Sequence, residues 1–223
     1  MAVNNAVKLV HIPGLLKYSH GMSLQQRLWQ ISKTHRTNYL IFCEHTPVYT
    51  FGKRQTHDNL SEEISRLERL GADCYQTKRG GLVTFHGPGQ LVCYPILNLR
   101  NFTPSIRWYV RQLETLVIGT CAEFGVGAET CEHVGIWTGK NKICALGVNV
   151  QQSSTTHGLA LNCNTDMSWF GHIVPCGIVG RGVTSLSRES GRQVGVKEAQ
   201  GVLARQFEEV FQCQVVLWSD DIS

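Results

Sequence analysis

Cys176 stands between Pro175 and Gly177, a rigid point followed by a permissive one. That setting suits a thiol held on a sharp bend, with neighbouring backbone N–H groups able to stabilise an oxyanion. A cysteine is more often a small buried hydrophobe, and the other eight of the nine in this chain are read that way. Lys142 opens the run Ile143-Cys144-Ala145-Leu146-Gly147-Val148. An ammonium among apolar strand residues is costly unless it lies at an edge or faces a site; Lys140, two positions earlier, reads as a solvated hairpin lysine. If Lys142 faces Cys176, the two form a base and a nucleophile suited to covalent catalysis.

The third group is the run Arg79-Gly80-Gly81-Leu82-Val83-Thr84-Phe85-His86-Gly87-Pro88-Gly89, with four glycines. Gly80 and Gly81 allow positive φ or the approach of bare backbone to a ligand. Gly87-Pro88-Gly89 marks a turn between the β-type segments Leu82–Phe85 and Leu91–Leu97, which permits a glycine-rich hairpin. Arg79 and His86 at its ends, a cation and a titratable imidazole, give the run the layout of a polar ligand site.

The elements that must hold these groups follow from periodicity. A strand is expected over Val7–Ile12, then a helix over about 18–34 with Leu24, Leu28 and Ile31 on one face. Tyr39–Cys43 and Val48–Gly52 read as strands, joined at Glu44-His45-Thr46-Pro47, where Glu44-His45 reads either as a catalytic pair or as a strand end. Ser61 as N-cap, Glu62 and Glu63 in the first turn and Gly71 past the end define a short helix; Tyr75 lies in an extended segment. Thr103-Pro104 opens a helix with Ile106, Val110, Leu113, Val117, Cys121 and Phe124 on one face and Gly125 beyond it. Val134–Trp137 and Lys142–Val150 form a hairpin, 151–156 a loop, and His157–Cys163 a returning strand. A last helix covers about 197–211, and Val215–Leu217 closes the sheet. Strands outnumber helices and are joined by short turns, so the fold class is α+β: a mixed α/β sheet with flanking helices.

Composition bounds the function. The 223 residues are 42% hydrophobic and 17% charged, enough for a core, with no run approaching a membrane span. A net charge of +4, without a basic run interleaved with aromatics, does not call for nucleic acid and suits an acidic protein partner. The odd cysteine number, without C-x-x-C, reads as reduced thiols. Cys121, Cys131 and His133 are the closest cluster and match no common zinc spacing. Residues 1–43 carry Lys8, Lys17, Arg27, Lys33 and Arg36 and no acid, a composition like that of a mitochondrial transit segment; with the first strand at Val7, only a very short or uncleaved signal has room.

Four blocks in order, Arg79-Gly80-Gly81-x-x-Thr84-Phe85-His86-Gly87-Pro88-Gly89-Gln90, Lys142 to Gly147, His157-Gly158-Leu159-Ala160-Leu161-Asn162 and Pro175-Cys176-Gly177, resemble the signature of the octanoyltransferases of lipoate biosynthesis. The similarity runs from about Val7 to about Cys213. Phe85 stands where many bacterial members carry tyrosine, and Leu161–Asp166 with Trp169-Phe170 and His172–Val174 resembles the animal mitochondrial branch. The resemblance implies one catalytic domain over 1–223 with the fold of the biotin/lipoate protein ligases, located in mitochondria, or in the cytoplasm for a bacterial source. It implies Cys176 as nucleophile and Lys142 as proton acceptor. Arg79, Gly80, Gly81, Leu82, Val83, Thr84, Phe85, His86, Ala145, Leu146, Gly147, Gly158, Leu159 and Ala160 would line the pocket for the acyl chain and the carrier arm.

The implied reaction moves octanoyl from octanoyl-acyl carrier protein to a lysine of lipoyl domains, those of the 2-oxo acid dehydrogenase complexes and the glycine cleavage H protein. It runs through a cysteine thioester, with no cofactor, no metal, no nucleic acid and no membrane. Thioester to amide is downhill, and the chain carries neither a phosphate loop nor a dinucleotide fingerprint. Other readings stay open: an amidotransferase moving octanoyl or lipoyl groups between lipoyl domains, a ligase using lipoyl-adenylate, a thioesterase, or a non-catalytic acyl or lipoyl-domain binding module.

Overall fold

The computed structural model describes residues 6–54, 60–174 and 180–218. In chain order these form β1 (Ala6–Leu16), α1 (Tyr18–His35), β2 (Asn38–His45), β3 (Val48–Phe51), α2 (Leu60–Glu68), β4 (Asp73–Gln76), β5 (Thr84–His86) and β6 (Gln90–Ile96). There follow α3 (Ile106–Glu123), β7 (Ile136–Thr138), β8 (Asn141–Gln151), β9 (Ser154–Asn162), β10 (Gly182–Val183), α4 (Leu186–Ser190), α5 (Val196–Phe211) and β11 (Gln214–Leu217). A large sheet takes the order β10-β8-β9-β6-β2-β1-β11 with β7 also on β8, and β4-β3-β5 makes a small one. Parallel pairs (β1 with β2 and β11) and antiparallel pairs (β2 with β6, β6 with β9, β8 with β9) coexist. The architecture is the expected mixed sheet with helices on its faces.

The centre of the large sheet is apolar on both sides because two layers cover it. Every residue of β6 is buried, as are Asn38–Cys43 of β2. With the strand period of two, Leu40, Phe42, Leu91 and Cys93 face α3 and α5 through Leu113, Val117, Leu203 and Phe207, whereas Ile41, Val92 and Tyr94 face α1 through Leu24, Leu28 and Trp29. The small sheet has its own core of Tyr49, Phe51, Leu67, Val83, Phe85 and Phe170.

Several local expectations change. β5 and β6 do not form a hairpin: β5 pairs with β3 in the small sheet and β6 with β2 and β9 in the large one. The turn between them is a corner from sheet to sheet. Gly89 (φ 79°) makes it possible, because its carbonyl accepts from the N–H groups of Cys163 (3.1 Å) and Asn164 (2.9 Å) while its own N–H donates to Glu44 Oε2 at 2.8 Å. Ser61 lies inside the first turn of α2 rather than capping it. α3 is capped by Ser105, whose hydroxyl accepts from the N–H of Trp108, and Ile106 is exposed, so the apolar face begins later. The expected loop over 151–156 shrinks to a tight turn at Gln152 and Ser153, both left-handed (φ 53° and 64°), which brings β9 forward to Ser154. β10 and α4 carry too few residues for a periodic signal.

β6 and β9 approach closely at Gly158, where a Cβ would overlap the carbonyl of Cys93 and lie 2.6 Å from Pro95 Cδ. Gly158→Ala is therefore expected to destabilise the protein by about 1–3 kcal/mol, read as a lowered urea midpoint; an unchanged midpoint would show that the strands yield at no cost.

Candidate active site

A cavity of about 530 Å³ opens between the glycine-rich segment and the strands β8 and β9. The glycine-rich segment supplies Arg79, Gly80, Gly81, Leu82, Thr84 and His86; β8 supplies Ala145, Leu146 and Gly147; β9 supplies Gly158, Leu159 and Ala160. Val83 and Phe85 are the exceptions among the expected lining residues. The strand period sends them to the other face, into the small-sheet core, where Phe85 stacks on Trp169 with centroids 5.0 Å apart. Small residues hollow the cavity: a Cβ on Gly147 would sit 3.0 Å from Arg79 Cδ.

Lys142 is buried beside the cavity rather than in its wall. It lines a small adjoining pocket with Gln90, Asn162, Phe170 and Val183, and that pocket shares Thr84, Ala145 and Ala160 with the large one. Its Nζ lies 4.8 Å from the centroid of the Trp137 ring, a cation–π distance. β10 fixes the strand there, since the N–H of Thr184 donates to the Lys142 carbonyl at 3.0 Å. Pro175, Cys176 and Gly177 lie outside the described residues; the chain on either side of them is the 3-10 turn Met167–His172 and β10 beside Lys142.

The site residues expected from the sequence include His86 but not His45, His157, Tyr18 or Tyr94, of which the last three line the cavity. His45 donates from Nδ1 to the carbonyl of Leu16 (2.9 Å), which leaves Nε2 to accept from the hydroxyl of Tyr94 at 2.8 Å. Of the two readings of Glu44-His45, a catalytic pair or a strand end, these bonds favour a structural corner, as the family resemblance implies. His157 has a left-handed backbone (φ 58°) within β9, and its N–H donates to Gln25 Oε1 of α1 at 2.7 Å. A non-glycine residue held in that region is constrained by its surroundings, and this one lines the cavity. No periodicity marks such a residue; only the His-Gly pair at 157–158 hints at it.

Burial sets the charge of this region. His86 is pushed down from its ordinary value to about 3, chiefly by desolvation and then by His45 and Arg79, against the raising effect of its Gln90 hydrogen bond. Desolvation likewise lowers His45 and His157 to about 4, with Arg79 and Lys53 adding to the shift at His157. All three imidazoles are neutral at pH 7. The Arg79 guanidinium is buried as well, donating to the Thr50 carbonyl and hydroxyl and, at 2.9 Å, to the carbonyl of Gly80. Among the described residues no cluster of histidine, cysteine and carboxylate groups could hold a metal ion, and no helix is long and apolar enough to cross a membrane.

A glycine-rich wall and two strands of small residues thus enclose the cavity, with buried Lys142 beside it. The chain belongs to the lipoyl protein ligase A/B catalytic domain family, whose model matches residues 17–208. It is 54% identical over 211 residues to the mitochondrial octanoyl-[acyl-carrier-protein]:protein N-octanoyltransferase of Danio rerio, covering 93% of each chain. It is 42% identical over 205 residues to the octanoyltransferase of Bacteroides fragilis (86% of this chain, 92% of that one). The fold is also that of a putative lipoate protein ligase from Thermoplasma acidophilum with bound lipoic acid, with a TM-score of 0.79 at 16% identity over 99% of this chain and 91% of that one.

The three neutral histidines predict a pH dependence of stability. Below their unfolded value near 6.5 the unfolded chain takes up protons that the native state refuses until about pH 4 to 3. Stability is therefore full above about pH 7 and falls as pH drops through this window, each histidine contributing up to about 1.4 kcal/mol per pH unit. Urea titrations between pH 7.5 and 5 should show the fall, and His45→Gln should shallow its slope; equal slopes would contradict a neutral buried His45.

Proposed function

We propose that this protein is a single-domain mitochondrial octanoyltransferase. It moves an octanoyl group from octanoyl-acyl carrier protein to a lysine of lipoyl domains, those of the 2-oxo acid dehydrogenase complexes and the glycine cleavage H protein. The observation that carries the reading is the cavity itself: glycines and alanines of β8 and β9 leave an acyl-sized channel, Leu82, Leu146 and Leu159 make its walls apolar, and its inner side adjoins buried Lys142. Burying an alkyl chain there supplies roughly 0.8 kcal/mol per methylene, enough to hold eight carbons in a defined pose.

The chemistry takes two steps. Lys142 takes the proton of the Cys176 thiol, the thiolate attacks the thioester carbonyl, the bond from that carbon to the carrier sulfur breaks, and the proton held by Lys142 goes to that sulfur, so that the carrier leaves as a thiol. The acceptor amine then attacks the enzyme thioester, the bond to Cys176 Sγ breaks, and the amine proton passes to Lys142. The amide forms without ATP, because the thioester carries the driving force. Arg79 and Gly80 hold the glycine-rich wall against β8, through the Gly80 N–H to Val148 carbonyl bond of 3.1 Å, and keep water from the acyl chain.

Mixing the protein with octanoyl-acyl carrier protein and no acceptor should give one octanoyl adduct in the intact mass, absent in Cys176→Ala and discharged by added lipoyl domain. An equal adduct in Cys176→Ala would remove Cys176 as nucleophile, and transfer that requires ATP would make the protein a ligase. Lys142→Ala should slow the appearance of the adduct by roughly 100-fold or more at neutral pH; a rate near that of the unmodified protein would end the role of Lys142 in proton transfer.

A further inference from the structure

Behind the cavity runs a line of buried polar side chains that the two-step reaction does not use: Thr50, His86, Gln90 and Asn162, with Arg79 at one end and Thr184 at the other. The donors and acceptors are fixed by the two carbonyls along the line, which can only accept. Gln90 Nε2 donates to the Phe85 carbonyl (3.2 Å) and to Asn162 Oδ1 (2.9 Å), and Asn162 Nδ2 donates to the Thr184 carbonyl (2.9 Å). Gln90 therefore presents Oε1 to His86 Nδ1 at 2.8 Å, so Nδ1 carries the imidazole proton. His86 Nε2 is left as an acceptor, and the Thr50 hydroxyl, which accepts from Arg79 Nη2 at 2.9 Å, donates to it at 3.3 Å.

Every bond points the same way. The order is Arg79 to Thr50 to His86 to Gln90 to Asn162 to the Thr184 carbonyl, and the N–H of Thr184 then donates to the carbonyl of Lys142. The Thr184 hydroxyl is itself tied to Glu189 of α4. Chains of aligned hydrogen bonds in a low-dielectric interior strengthen one another, and reversing one member breaks the whole.

We propose that Gln90 and Asn162 are positioning residues, which with Thr50 and His86 form a one-way hydrogen-bond chain that sets the glycine-rich wall and the Lys142 strand in register with each other. Neither acts on the substrate. Both ring nitrogens of His86 are committed to the chain, so this histidine is a strut and carries no proton in the reaction. The proposal rests on the transfer reading above for the role of Lys142.

Gln90→Glu tests the direction of the chain. Protonated, the introduced carboxyl keeps the chain: its one hydroxyl donates to Asn162 Oδ1 and its carbonyl accepts from His86, and only the side donation to the Phe85 carbonyl is lost. Ionised, it only accepts, and Asn162 must flip its amide oxygen against the Thr184 carbonyl. The titratable and charged groups around position 90 are His86, which is bonded to it, Lys142, which lines the same small pocket, Glu44, which accepts from the N–H of neighbouring Gly89, Arg79, His45 and His157, which act on His86, and, through Thr184, Glu189 of α4. Because burial favours the neutral carboxyl, the rate of octanoyl transfer by Gln90→Glu should be near normal at acid pH and fall as pH rises through neutrality, a limb the unmodified enzyme lacks.

Thr50→Val breaks the chain far from Lys142. It should lower kcat roughly 10- to 100-fold with KM kept, shift the His86 15N resonances, and be rescued by Thr50→Ser. A Gln90→Glu profile parallel to that of the unmodified enzyme, or a Thr50→Val kcat equal to it, overturns the chain alone. If the unmodified protein transfers no octanoyl group at any pH, the functional reading falls and the positioning role falls with it.

Discussion

The guanidinium of Arg79 is buried beside an apolar cavity, and much of the site's shape follows from what that requires. A buried charge is tolerated when its N–H groups all find acceptors. Here the Thr50 carbonyl and hydroxyl and the Gly80 carbonyl provide them. To reach them the glycine-rich segment must fold tightly over the end of β3: Lys53 N–H donates to the Arg79 carbonyl and Arg54 N–H to that of Gly81. Gly81 takes φ 88°, and at Gly52 a side chain would run into the Gly81 carbonyl. The small sheet is thus fastened to the large one by the same segment that walls the cavity, with Gly80 bonded to Val148 at the edge of β8.

Much of this was legible in the sequence, and the reason differs from place to place. β2, β6, α3 and α5 declare themselves because burial on one or both faces writes a period into the residues. Lys142 stood out because a charge in an apolar strand demands an explanation, and the structure buries it next to the cavity. The glycine-rich run was recognisable as special, but its local pattern could not distinguish a hairpin from a corner between two sheets. That choice is made by Glu44 and Asn164, far away in the chain, which hold Gly89. Val83 and Phe85 were read with their neighbours as lining residues for a similar reason: a motif is contiguous, whereas a strand deals alternate residues to opposite faces.

The least legible part is the polar interior. Gln90 and Asn162 close two of the four sequence blocks, but nothing in composition or spacing separates them, or Thr50, from solvated polar residues. Their significance appears only when the two sheets meet. His45 and His157 are hidden for the same reason, one in a corner that also reads as a strand end and one in a strand whose backbone departs from the extended form at that single residue.

An apolar substrate and a cavity backed by buried polar side chains look incompatible until the direction of each hydrogen bond is followed. An unpaired donor facing an alkyl chain costs free energy on binding, because the ligand offers it nothing in place of water. In this site Arg79 donates to Thr50 and Gly80, Tyr94 donates to His45, and His86 is occupied at both nitrogens. These groups are satisfied within the protein, and His86 and His157, which line the cavity, are neutral, so neither imidazole sets a charge against an alkyl chain. Polarity then serves to fix the walls, while the walls themselves remain compatible with an acyl chain. Such an arrangement works only if the polar groups are saturated together, and along the line from Arg79 to the Thr184 carbonyl each donor meets an acceptor.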